Sequence, residues 1–301
     1  MPLTLAPLST QRRPRVLIIG CGDVGLRVLR LLTGRWRVLV LTSSPARVPA
    51  LRAAGAVPLV GNLDEPSTLG RLAGLADHVL HLAPPPGQGR TDPRTAALLR
   101  ALARSGRVTR LVYASTSGVY GDCGGAWVDE TRPVAPATDR AWRRVDAEAR
   151  VRHFGRRTGA ATLVLRIPGI YALDREGGDP RERIRRGTPV LRAEDDVYTN
   201  HIHADDLARA CVAALVRGGP QRVINVSDDG SLAMGDHQDR IADLTGLPRP
   251  PRISRAEALT TLSPMTMSFL SESRRLCNAR LKRELRLQLR CPTVDAALAA
   301  G

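Results

Sequence analysis

The first half of the chain alternates short, continuously apolar runs with amphipathic ones. The run Arg15-Val16-Leu17-Ile18-Ile19 reads as a buried strand, and Val24 to Leu32 as the helix after it. Arg37 to Leu41 reads as the next strand and Pro49 to Ala54 as a short helix. Val57 to Val60, His78 to Leu82 and Arg110 to Tyr113 continue the strand series. Thr95 to Ala103, apolar at helical spacing, lies between the last two. Strands apolar on both sides, joined by helical crossovers, imply a parallel sheet covered on both faces. After Ala114 the pattern loosens. Residues 115–136 are rich in Gly, Ser, Thr and Pro and read as a functional loop. Trp142 to His153 reads as a helix, Ala161 to Ile167 as a strand, Ala204 to Val216 as a helix and Arg222 to Val226 as a strand. From about Ser231, several short helices are expected between prolines. No internal repeat is visible.

The first strand runs into Gly20-Cys21-Gly22-Asp23-Val24-Gly25, and a helix follows. That context turns a weak glycine triplet into a dinucleotide fingerprint. Gly20 permits the tight turn, Gly22 lets backbone approach a pyrophosphate, and Gly25 lets the helix pack close to the strand. The helix N-terminus offers free N–H groups and a positive dipole end to phosphate. The fold class expected is therefore α/β: a Rossmann-type doubly wound parallel sheet with a smaller C-terminal substrate lobe. Its organisation is expected as a disordered tail over 1–13, a dinucleotide domain over 14–166 completed by 200–228, and a lobe from 167–199 and 229–301.

The end of the second strand selects the coenzyme. NAD-specific sites place an acid there for the ribose 2′-hydroxyl. No acid occurs from Val24 to Leu63; Thr42, Ser43 and Ser44 stand at that place, with Arg47 just beyond. Hydroxyls and an arginine suit a 2′-phosphate, so NADP(H) is expected over NAD(H). One charge-assisted hydrogen bond of about 1.5–3 kcal/mol would shift preference ~10–100-fold.

Charge changes this picture little. The chain of 301 residues carries a formal charge of +16, which could attract nucleic acid. Lys282 is its single lysine, so 44 of 45 basic residues are arginine, spread over the whole length. Such a bias reads as genome composition and solvated surface, and a nucleic-acid partner is not expected. Aromatics make up only 3% of residues, leaving few stacking platforms. The five cysteines, widely spaced and without a C-x-x-C, fit free thiols in a reducing cytoplasm. No apolar run approaches the ~20 residues that span a bilayer.

Several further segments recur in a familiar order. They are Gly61-Asn62-Leu63-Asp64, His81-Leu82-Ala83, Ser115-Thr116-Ser117-Gly118-Val119-Tyr120-Gly121, Arg166-Ile167-Pro168-Gly169-Ile170-Tyr171, residues 200–208 and Ile224-Asn225-Val226-Ser227. With the glycine loop, the chain resembles the extended short-chain dehydrogenase/reductase family, the NAD(P)-dependent epimerase/dehydratase group, from Arg15 to about Pro292. The resemblance implies that Asn62 and Leu63 meet the adenine, that Leu82 and Ala83 line the ribose, and that Arg166 and Pro168 border the nicotinamide. It implies that Thr116 polarises a substrate oxygen. It also implies a proton-transferring Tyr with a Lys four residues later, on the helix leading to Ala147-Glu148. Those places hold Arg140 and Arg144. Arginine stays protonated and cannot do that work, and no tyrosine of this chain has a lysine four residues on. The chain thus resembles an atypical member that keeps the coenzyme fold without the usual pair.

Tyr120, Asp122 and Cys123 could replace the missing acid, the thiol needing neighbouring arginines to lower its pKa, although Tyr120 reads first as a packing residue and Cys123 as loop decoration. Arg140, Arg144 and Tyr171 are candidate substrate contacts, the arginines as clamps on a phosphate or carboxylate. Arg181, Arg183, Arg185, Arg186 and Arg192 form a further basic cluster. His201 and His203 with Asp205 and Asp206 lack a third ligand, so no metal is expected. The expected activity is NADP(H)-dependent oxidoreduction or epimerisation of a small, anionic or nucleotide-linked substrate. The alternative is an NADP(H)-binding sensor without turnover. Analogy with extended members implies a homodimer.

Overall fold

The computed structural model describes residues 13–299. The tail expected over 1–13 lies outside them, apart from Arg13. Seven parallel strands form the central sheet: β1 (Arg15–Ile19), β2 (Arg37–Thr42), β3 (Val57–Val60), β4 (His78–His81), β5 (Arg110–Thr116), β6 (Ala161–Ile167) and β7 (Arg222–Asn225). Their spatial order is β7-β6-β5-β4-β1-β2-β3. The chain starts in the middle, winds outward through β2 and β3, then returns past β1 to β4. The order therefore reverses between β1 and β4, where open parallel sheets leave a crevice beyond the strands' carboxyl ends.

The alternation along each strand divides the core in two. Val16, Ile18, Val38, Val40, Val112, Leu163 and Leu165 face one layer. Leu17, Ile19, Leu39, Leu41, Leu111, Tyr113 and Val164 face the other. The first layer is closed by α1 (Asp23–Leu32), α2 (Val48–Ala53), α6 (Ala204–Val216) and α10 (Ala279–Glu284). The second is closed by α3 (Pro93–Ala103) and α4 (Asp139–Thr158). Thr138 caps α4 by accepting from Ala141 N, and Gly159 ends it in the left-handed conformation.

The remaining elements gather at the carboxyl end of the sheet. Residues 169–171 pair with 201–203 in a short parallel ladder. Helices α5 (Pro180–Arg185), α7 (Met234–Thr245) and α11 (Val294–Ala299) pack around buried Tyr171 and Ile241. Helices α8 (Arg255–Thr261) and α9 (Pro264–Leu270) pack on Leu191 and Val197. Among the described residues, no helix is long and apolar enough to cross a membrane.

Candidate active site

The glycine loop has the geometry its sequence requires. Gly20 sits at φ +87°, and a Cβ there would lie 2.5 Å from the amide nitrogen of Ala83. That closeness is built in, because the amides of Leu82 and Ala83 both donate to the Ile19 carbonyl, at 2.8 and 2.9 Å. A Cβ on Gly25 would stand 2.9 Å from the Gly20 carbonyl, which is the tight helix–strand approach. Around Gly22 the space is open, and no side chain caps α1. An open, uncapped helix start beneath a glycine turn fits the diphosphate of a dinucleotide. Asp23 points elsewhere: its carboxylate accepts from Arg27 Nε and Arg175 Nε. Arg27, itself buried, also holds Asp174 and Asp205, each at 2.6 Å.

A cavity of about 220 Å³ opens beside this loop. Cys21, Thr42, Ser43 and Arg47 line one side, and Asn62, Leu63, Ala83 and Arg94 the other. Arg47 reaches back from its turn and donates to the Cys21 carbonyl at 2.6 Å. Thr42 closes a small turn with Ser44 through its hydroxyl. Asn62 spends its side chain on its own turn, bonding Glu65 and the Asp64 amide. Leu82 packs against the core layer of α1. Burial raises the Cys21 thiol to about 11 against the opposing charge of Arg47, which disfavours the thiolate.

A larger cleft, about 770 Å³, continues past the ends of β4, β5 and β6. Thr116 lines it, with its hydroxyl oxygen accepting from the Gly118 amide at 3.3 Å. Arg140 and Arg144 line it too. The Arg140 guanidinium lies over the Phe269 ring at 4.5 Å, and Arg144 donates to the Ala114 carbonyl and the Tyr113 hydroxyl. A tyrosine thus sits beside the arginine at the position where the resemblance implies lysine. It is fully buried, and burial raises it to about 12, which disfavours the phenolate.

Several expectations need correction. Arg166 is turned into the interior, where it makes two bonds to buried Glu148 and covers the Tyr120 ring; of its segment, Pro168 and Gly169 reach the cleft. Tyr171 is enclosed between α5, α7 and α11 and does not line the cleft. Tyr120 is a packing residue whose hydroxyl donates to Asn225. Asp122 ties two loops by accepting from the Ser273 and Gly124 amides, which hold it below the usual carboxylate range. Cys123 runs opposite to expectation: burial outweighs Arg132 and Arg274 and pushes the thiol up. Of the basic cluster, Arg183 lines the cleft; Arg181 and Arg185 pair with Asp179.

Sequence reasoning missed Arg143, Tyr198, Glu272 and Arg274 on the cleft wall, and weighed His201, also there, only as a metal ligand. Glu272 accepts from Arg274 at 2.8 Å, and Arg274 also holds the Gly121 carbonyl. These residues follow no spacing rule and converge only by folding. His201 stacks on His237, with ring centroids 4.1 Å apart. His203 caps α6 through its ring, accepting from the Asp205 amide. Among the described residues, no three potential metal ligands come together.

The reversed sheet, the glycine turn and the cleft at the strand ends define a Rossmann-type dinucleotide-binding protein. The chain belongs to the NAD dependent epimerase/dehydratase family, whose pattern matches residues 16–227. It is an atypical extended short-chain dehydrogenase/reductase, with arginines where the resemblance implies tyrosine and lysine. It is similar to a conserved protein of unknown function from Silicibacter pomeroyi, with 33% identity, a TM-score of 0.80, and 95% of this chain and 97% of that one covered. It shares its fold with the UDP-glucose 4-epimerase of Thermotoga maritima, solved with UDP-glucose (19% identity, TM-score 0.74, 94% and 96% covered). The UDP-glucuronic acid 4-epimerase of Bacillus cereus, solved with NAD, has the same fold (17% identity, TM-score 0.72, 94% and 95% covered). No curated protein matches the sequence.

Proposed function

We propose that the protein is an NADP(H)-dependent oxidoreductase or epimerase acting on a small anionic or nucleotide-linked substrate in the cytoplasm. Residues 167–199 and 229–301 serve as its substrate lobe. The observation that carries the coenzyme choice is Arg47, whose guanidinium borders the cavity beside the glycine loop with hydroxyls, not an acid, at the end of β2. A bound nicotinamide would supply hydride transfer. The chain's own part is to hold the diphosphate on the α1 amides, the 2′-phosphate on Arg47 and the reacting oxygen on Thr116. The cleft carries Arg140, Arg143, Arg144, Arg183 and Arg274 against Glu272, which Arg274 already neutralises. That balance favours an anion. The fold relatives solved with UDP-glucose and UDP-glucuronic acid support a nucleotide-linked one. All five cysteines are free thiols, which suits a reducing compartment. Two copies would meet through α3 and α4, whose shared groove holds Leu99, Ala103 and Phe154.

A second reading, binding without turnover, is favoured by Arg140 and Arg144 standing where proton transfer is implied. Fluorescence titration with NADPH and NADH separates coenzyme from reaction. Wild type should bind NADPH more tightly, and Arg47→Glu should lose NADPH affinity ~10–100-fold while sparing NADH. Equal loss for both would remove Arg47 from the site. Transfer of labelled hydride from a panel of UDP-sugars to NADP+, or from NADPH to keto acids, supports the enzyme; tight binding with no transfer supports the sensor.

A further inference from the structure

A purine needs something flat to lie against, and the cavity beside the glycine loop has no aromatic ring in its lining. One planar group there is fixed in place. Arg94 enters from the first turn of α3 and makes a two-pronged bond to Asp64, at 2.7 and 2.6 Å. Its remaining terminal nitrogen donates to the Pro84 carbonyl at 3.3 Å. Guanidinium N–H groups lie in the plane of the group, so these bonds occupy its edges and not its faces. The side chain keeps 27% of its exposure. Asp64 cancels its charge, so Arg94 does not compete with Arg47 for an extra phosphate. The two arginines divide the work: one free charge, one neutralised plane.

We infer that Arg94, held flat by Asp64, is the platform on which the adenine of the coenzyme rests. This rests on the dinucleotide reading above. It differs from a role in tying α3 to the loop after β3, because loss of that tie lowers the unliganded melting temperature, whereas loss of the plane weakens only ligands that carry the adenine.

Arg94→Lys is therefore the decisive variant, with dissociation constants measured for NADPH, NADH, 2′,5′-ADP and nicotinamide mononucleotide. Both coenzymes and 2′,5′-ADP should bind roughly five- to thirtyfold more weakly, by similar factors, with the mononucleotide unchanged. Asp64→Asn, which keeps the plane and loosens its hold, should give a smaller loss of the same pattern. The melting temperature without ligand checks the fold. Binding like wild type would overturn the platform and leave the dinucleotide reading intact. Loss shared by NADPH and 2′,5′-ADP with NADH spared would make Arg94 a phosphate ligand instead. Mononucleotide loss equal to that of 2′,5′-ADP would assign a structural role. A wild type that binds neither coenzyme would end both proposals.

Discussion

Asp228 makes a quantitative prediction. It follows β7, is 4% exposed, and accepts one bond from the Gly230 amide. Burial, assisted by the charges of Asp229 and Asp206, raises its carboxyl from 3.8 to about 8, with the Gly230 bond pulling the other way. A carboxyl raised on folding is most favourable to the native state below its unfolded pKa. That contribution is lost as pH climbs from about 4 through about 8. At ~1.4 kcal/mol per pH unit, the whole window amounts to about 6 kcal/mol, and the interval from pH 5 to pH 7 to roughly 2–3 kcal/mol. Asp228→Asn removes this dependence while keeping an acceptor for Gly230. Urea unfolding of both proteins at pH 5, 6, 7 and 8 measures the difference. The asparagine variant should gain on wild type by roughly 2–3 kcal/mol between pH 5 and 7. His81, His201 and His237 are pushed down by burial, to about 3 for His81 and about 4 for His237. Their effect has the opposite sign, with stability lost as pH falls below about 6.5, and it cancels between the two proteins. Parallel stability curves would refute the assignment of Asp228 as a neutral buried acid.

Two further outcomes follow from the geometry. Gly20→Ala forces a Cβ into a left-handed turn and against Ala83, so it should cost at least ~2 kcal/mol in denaturant unfolding and weaken coenzyme binding; wild-type stability would show that the turn has room. Glu148→Gln strands the buried Arg166 guanidinium and should cost about 3–5 kcal/mol, whereas Glu148→Met with Arg166→Met together should cost less; a loss under ~1 kcal/mol for the single change would show that the pair is dispensable.

The sheet was readable because its inner strands are buried on both faces and need no partner to declare themselves. The expected bounds of β3 and β6 are those observed. β5 runs three residues further than its apolar run, to Thr116, because Ser115 pairs in the ladder and donates to Glu148. A buried serine is invisible to a hydrophobic pattern. Helix α4 is longer than expected at both ends, since arginines hide its thin apolar stripe. The cavity beside the glycine loop is mostly local in sequence, built largely from turns that follow β1 to β4; Cys21, Thr42, Ser43, Arg47, Asn62, Leu63 and Ala83 on its wall were singled out from the sequence, and Arg94, from α3, was not. The larger cleft is not local. Arg143, His201, Glu272 and Arg274 meet there from α4, the 201–203 strand and the chain beyond α9. Arg166 and Tyr171 were misplaced for the converse reason: sequence proximity to the nicotinamide does not say which way a side chain turns.

The clasp at Arg27 has a mechanical consequence. One guanidinium gathers acids from α1, from the turn after the 169–171 strand and from the start of α6. Three segments separated by up to 178 positions are thereby riveted into one body. The start of α1 is thus tied to the 172–178 turn, whose Gly177 borders the cleft, so the cavity beside the glycine loop and the larger cleft share one set of ion pairs.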